Sequence, residues 1–178
     1  MVPDGQSLAF IERNPDSGSD IWVLNLDEPD PFPVVVTRFN ERSPAFSPDG
    51  RWLAYDSDES GRSEVYVQPY PGPGPRWLIS TDGGEFPVWS PVWSPEGLEL
   101  FYRTNDSMMS VKIDTVSTFT AGIPSVLFEL PYTPLSMYDV TRDGQHFVMI
   151  TENQKTLVEV NLVLGWLDEL NRLAPPSP

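Results

Sequence analysis

The sequence has no cysteine, which excludes disulfide bridges, thiolate nucleophiles and cysteine-ligated metals. It has one histidine, His146, and a single imidazole without cysteines cannot assemble the usual zinc sites. Basic side chains are few. Eleven Lys and Arg stand against twenty-six Asp and Glu, a formal charge of −15. Such a chain repels a polyanion instead of releasing its counterions, so nucleic acid is not an expected partner. The same charge disfavours an anionic membrane surface and serves solubility. Long apolar runs are missing too: no stretch reaches eighteen residues, and the opening MVPDGQSLAF lacks a basic region followed by an apolar one. A soluble chain with neither signal peptide nor membrane span is expected, and no pattern assigns its compartment.

Aromatics, by contrast, are plentiful at 12% of 178 residues, six of them Trp. That content argues for a packed core over a disordered acidic tail. Self-comparison shows how the core is organised. VPDG at 2–5, SPDG at 47–50, SPEG at 94–97 and TRDG at 141–144 each precede an apolar, aromatic-containing run. Their glycines, Gly5, Gly50, Gly97 and Gly144, are 45, 47 and 47 residues apart, a spacing in the range of propeller blades. After each glycine comes a short run (SLAFI, WLAY, LELFY, HFVMI), a polar turn, and a second run (IWVLNL, EVYVQP, MMSVKI, LVEVNLVL). These runs read as strands, apolar on consecutive positions because neighbouring blades cover both faces of each sheet.

The Asp-Gly or Glu-Gly pair has a backbone reason, since a tight hairpin needs positive φ at a position where Gly carries no penalty and Asp bonds its own backbone. Asp4, Asp49, Glu96 and Asp143 are therefore read as turn residues, spread one per blade instead of converging as a catalytic carboxylate pair. SPAFS, PVWS and YDVT lie just before the turn as the entry strand of each blade. In FPVWSPVWSPEG, residues 86–97, that entry is written twice. The doubling predicts a bulge or added loop, with Trp89 and Trp93 either core residues or partly exposed contact residues.

These strings, above all FSPDGRWLAYDSDESGRSEVYVQPYPGPG, LISTDGGEFPVWS, GLELFYRTNDSMMSVKID, AGIPSVLFE, YDVTRDGQHFVMI and NLVLGWLDELNRL, resemble the TolB-like β-propeller (WD40-like) repeats that follow the kinase domain in many bacterial serine/threonine protein kinases. The resemblance implies an all-β propeller, usually six-bladed, that serves as a sensing or protein-contact module beside an enzyme. No kinase glycine-rich loop, HRD segment or DFG is present, so no kinase residue is carried over.

The expected architecture is an all-β propeller segment over 1–164, with repeats at about 1–41, 42–85, 86–135 and 136–164. Its antiparallel four-stranded blades have three, four, four and three strands, fourteen against the sixteen of a closed four-blade ring, which predicts an open or partial ring stabilised by self-association or by another polypeptide. Trp166, Leu167, Leu170 and Leu173 form one apolar stripe, which predicts a short C-terminal helix at 165–174 before a proline-rich tail at 175–178.

Candidate chemistry is sparse. DSDESGRSEVYV places Asp56, Asp58, Ser60 and Gly61 as a calcium loop would, but Val67 occupies the position of the bidentate Glu, so a polar hairpin turn is the reading. His146 has no G-x-S-x-G nucleophile elbow to serve, and PDSGSD at 15–20 lacks the spacing of one. No catalytic, cofactor-binding or metal-binding residue is assigned. The candidate contact residues lie in the loops: Tyr70 and Trp77 at the two ends of YPGPGPRW, Trp89, Trp93, and Tyr132 in the next blade. The expected function is a non-catalytic interaction or sensing module for a protein or small ligand. The alternative is the C-terminal part of a propeller-bearing enzyme, of kinase or oligopeptidase type, whose catalytic domain lies elsewhere.

Overall fold

The computed structural model describes residues 5–15, 18–28, 30–80, 89–104, 106–116, 118–129, 138–141 and 146–149. The segment expected to be helical, 165–174, and the contact candidate Tyr132 lie outside them. Among the described residues every regular element is a strand, and no helix is long and apolar enough to cross a membrane.

Four antiparallel sheets follow one another along the chain. The first holds β1 (Ser7–Asn14), β2 (Gly18–Asn25) and β3 (Phe32–Val35). The second is a four-stranded meander of β4 (Glu41–Phe46), β5 (Trp52–Ser57), β6 (Glu64–Pro69) and β7 (Trp77–Leu78). In the third, β8 (Trp89–Trp93), β9 (Glu99–Arg103) and β10 (Ser107–Asp114) are completed by two short strands on the far side of β10, β11 (Thr120–Ala121) and β12 (Ser125–Glu129). The fourth shows β13 (Tyr138–Val140) and β14 (Phe147–Met149). The described strands number fourteen, but they are distributed differently from expectation. The outer strand of the third sheet is split in two, and the third strand expected in the fourth sheet, at about 157–164, lies outside the described residues.

The turns repeat as the sequence requires. Gly5, Gly50 and Gly97 have φ of 71°, 71° and 72°, a conformation that costs a residue with a Cβ. Just before three of the four repeat turns a hydroxyl residue closes the hairpin. Ser47 N donates to Trp52 O at 2.9 Å while Trp52 N donates to Ser47 Oγ at 3.0 Å. Ser94 and Glu99 repeat the pair at 2.8 and 3.0 Å, and Thr141 and His146 at 2.9 and 3.1 Å. His146 thus belongs to a turn closure, its side chain exposed.

The doubled VWSP has a different explanation from the one its repetition suggests. A bulge does occur there: Trp89 faces Arg103 and Val92 faces Phe101, leaving one extra residue on β8. The same bulge occurs in β4, where Arg42 faces Asp56 and Ala45 faces Ala54. Positions 42 and 89 are one 47-residue repeat apart. The bulge is therefore part of the repeat, and SPVWSPEG aligns with SPAFSPDG without a gap, five of the eight residues identical. Nothing was inserted; a Val-Trp pair preceding the first Ser-Pro makes the entry look doubled. In β4 the bulge is held by Ser43 at φ 52°, with its side chain bonded to Asp56.

The core lies between the sheets. One face of the second sheet packs Leu53, Tyr55 and Tyr66 against Ile21 and Val35 of the first. The other packs Ala54, Val65 and Val67 against Leu100, Tyr102 and Val111 of the third. Trp93 crosses this second seam, 5% exposed, and donates its indole N–H to Ala45 O at 3.0 Å. Further out, Phe119 from the loop after β10 reaches Trp52 and Trp77, with ring centroids 4.8 and 4.7 Å away. A third seam joins Phe101 and Met108 to Tyr138 and Phe147. Phe119→Ala should lower unfolding free energy by about 3–5 kcal/mol, as buried aromatic truncations do. Denaturant titration followed by tryptophan fluorescence measures it, and a loss under about 1 kcal/mol would show that the ring trio does not clamp the two sheets.

Candidate contact site

Each meander runs entry strand, turn, second strand, hairpin, third strand, loop, so the turn after β4 and the loop after β6 share one end of the blade. Tyr70 N donates to Arg51 O at 2.8 Å across this end. Adjacent blades present the same end together, for a Cβ at Gly97 would lie 3.4 Å from Pro48.

Between the first two sheets the rim opens into a slot of about 440 Å³. One wall is β3 and its continuation, Phe32 to Thr37; the other is Pro71 to Gly74, with Gln68 and Arg76 below. Residues 71–76 are all exposed, as are Phe32 and Val36. Gln68 is held by the phenol of Tyr55, which donates to its Oε1 at 3.4 Å. Burial pushes the Tyr55 phenol up to about 12, with Arg76 opposing the shift. Arg76 is fixed on its other side by Glu59 at 2.7 Å. The slot therefore combines apolar and proline walls with an amide and a guanidinium, groups that orient a bound chain or small ligand.

Three of the aromatic contact candidates, Tyr70, Trp77 and Trp93, pack within the fold. Tyr70 is half-buried, edge-on to Phe46 with ring centroids 4.7 Å apart. Trp77 is half-buried in the trio with Trp52 and Phe119. Trp93 is core, because the seam takes its ring and Ala45 takes its N–H, which leaves no face for a partner. Trp89 lies on β8 opposite Arg103. The loop prolines and glycines are exposed, Tyr70 and Trp77 keep part of their surface open, and Trp93 is taken up by the core. Gln68, Arg76 and Phe32 were not singled out from the sequence; the arginine closing YPGPGPR was the available signal.

The opposite end of the blades carries buried acids. Glu41, fully buried, accepts hydrogen bonds from Thr37 at 2.7 Å and Ser57 at 3.2 Å. Burial raises its carboxyl above the ordinary carboxylate value, the two hydrogen bonds oppose this, and Asp20 and Asp58 add like charge. Burial likewise raises Asp56, against hydrogen bonds from Ser43 and Ser63. Glu64 is bonded to Ser80 and to Arg62 at 2.6 Å. The calcium-loop residues are engaged within the fold. Asp58 takes Asn40 N and Nδ2 at 2.8 and 2.7 Å, and Gly61, at φ 92°, closes the hairpin onto Asp58 O at 2.9 Å. Among the described residues no three His, Cys, Asp or Glu side chains converge as a metal site.

The shapes and sequences of known proteins agree with this architecture. No protein-family model matches the chain. Over 110 residues, 54% of the chain, it is 30% identical to the uncharacterized peptidase YuxL of Bacillus subtilis. Over 95 residues, 53% of the chain, it is 30% identical to the Tol-Pal system protein TolB of Hydrogenovibrio crunogenus. The chain spans 15% and 21% of the lengths of these two relatives. The crystal structure of TolB from Acinetobacter baumannii superposes with a TM-score of 0.62 at 21% identity, over 85% of this chain and 37% of that one. The chain has a TolB-like β-propeller fold.

The raised carboxyls give a pH dependence whose sign is fixed. Folded Glu41 and Asp56 hold their protons more tightly than the unfolded chain does, so their contribution to stability is fully present in acid and is lost as pH rises through their folded-state values, above 4.5 and 3.8. Glu41→Gln should flatten the decline in urea midpoint between pH 5 and pH 8. An unchanged slope would show that Glu41 does not titrate with folding.

Proposed function

We propose that the chain is a non-catalytic propeller module that binds a polypeptide segment in the slot between β3 and the 71–76 loop. One observation carries the reading: a rigid seam ends in an exposed Pro-Gly wall over two anchored polar groups, Gln68 and Arg76. Recognition placed on loops over a rigid scaffold is the common arrangement. Peptides selected from a phage-displayed library against the chain should lose about tenfold in affinity with Arg76→Ala combined with Val36→Ser, since a desolvated polar contact and an apolar one are removed together. Selected peptides that ignore both changes would overturn the slot as the site.

The similarity to a named peptidase supports a second reading, in which the propeller forms part of a larger enzyme of peptidase type and presents or screens its substrate. A kinase-type parent is a further version of it, carried only by the repeat strings themselves. Both readings make the chain itself inactive. Incubation with aminoacyl- and peptidyl-aminomethylcoumarin substrates should release no fluorophore above buffer, and turnover that scales with protein concentration and survives further purification would refute a non-catalytic module.

A further inference from the structure

We propose that the third blade carries a separate binding cleft for a basic, apolar polypeptide segment, with lysine or arginine side chains alternating with aliphatic ones. The cleft, about 860 Å³, opens at the same end of the blades as the slot. Its apolar lining includes Leu98, Ile113 and Val116 over Phe101. Two of these side chains are unusually open to solvent for aliphatics: Leu98 is 60% exposed and Val116 94%. Grouped exposed aliphatics in a concave surface mark a place where something docks.

The charge at the rim says which kind of partner. Glu96, Glu99 and Asp114 line the cleft with Lys112 as the one basic group. Among the described residues no ion pair joins Lys112 to any of the three carboxylates. The cleft thus presents net negative charge around an apolar floor, on a chain of formal charge −15. A second copy would bring like charge to that rim, whereas a basic segment brings complementary charge and gains on-rate from the whole field. The backbone supports an extended ligand. Ile113 N bonds Leu98 O at 2.8 Å, and Gly122 N bonds Lys112 O at 2.8 Å. The wall is thereby pinned, and Val116 stands on a loop turned by its own N–H to Asp114 Oδ1 at 2.9 Å. This cleft shares no lining residue with the slot.

The experiment uses the full chain and a fluorescein-labelled peptide of alternating lysine and leucine, read by anisotropy, with a glutamate-leucine peptide as control. The basic peptide should bind and the acidic one should not. Glu99→Gln with Asp114→Asn should weaken binding about fivefold, as the loss of two exposed charge pairs implies. Val116→Ser should weaken it about threefold through lost apolar contact alone. The pair Glu12→Gln with Asp27→Asn removes the same charge at exposed positions away from the cleft and should change affinity less than twofold. Three results would overturn the proposal. Equal weakening by both charge pairs would mean unspecific attraction to an acidic surface. Absence of binding would mean that the cleft takes no such segment. A concentration-dependent rise in solution mass abolished by Glu99→Gln with Asp114→Asn would mean that a second copy occupies it. All variants change exposed or half-exposed side chains, and unaltered denaturant midpoints would separate their effects from unfolding.

Discussion

Everything else in this fold depends on burying a sheet on both of its faces at once. The second blade shows the constraint most clearly. In WLAYDS the side chains of Leu53 and Tyr55 enter the seam with the first blade, and Ala54 enters the seam with the third. EVYVQP does the same, with Tyr66 on one side and Val65 and Val67 on the other. Removing either neighbour would expose a full apolar face. The consecutive apolar runs, which would be ambiguous in an isolated strand, follow directly from this double covering.

The constraint also decides where polar groups go. Turns and linkers must supply partners for the backbone that the stacked sheets leave unpaired, and they do so with hydroxyls and carboxylates from the same repeat. Ser47, Ser94 and Thr141 close the turns at one end. At the other end Asp58 fixes the linker through Asn40, and Gly18 suits its place there because its φ is 100° and a Cβ would lie 3.1 Å from Phe39 O. Much of the acidic composition is therefore structural, and the carboxyls of Glu41 and Asp56 sit inside the fold at a cost that burial makes explicit.

The repeat was legible in the sequence because turn chemistry is local: positive φ selects glycine, and four glycines spaced 45 to 47 residues apart reveal the repeat. The split outer strand of the third blade was not, since two residues at Thr120–Ala121 leave no periodic signal. The packing partners of the aromatics were not legible, because exposure is set by what packs on a ring from elsewhere in the chain. Nothing near Trp77 announces Phe119, forty-two positions on, and nothing near Trp93 announces the carbonyl of Ala45. The doubled VWSP misled differently, for comparison with SPAFSPDG needed the pairing register before the two bulges could be seen as one feature.

Phe119 closes the loop that starts at Asp114 and carries Val116, yet its ring belongs to the second blade, wedged between Trp52 and Trp77. That loop is consequently a lever with its handle in one blade's cleft and its fulcrum in another's aromatic core. Because the same loop supplies both the handle and the ring against the indoles, Trp52 and Trp77 are the natural optical gauge for events on the neighbouring blade.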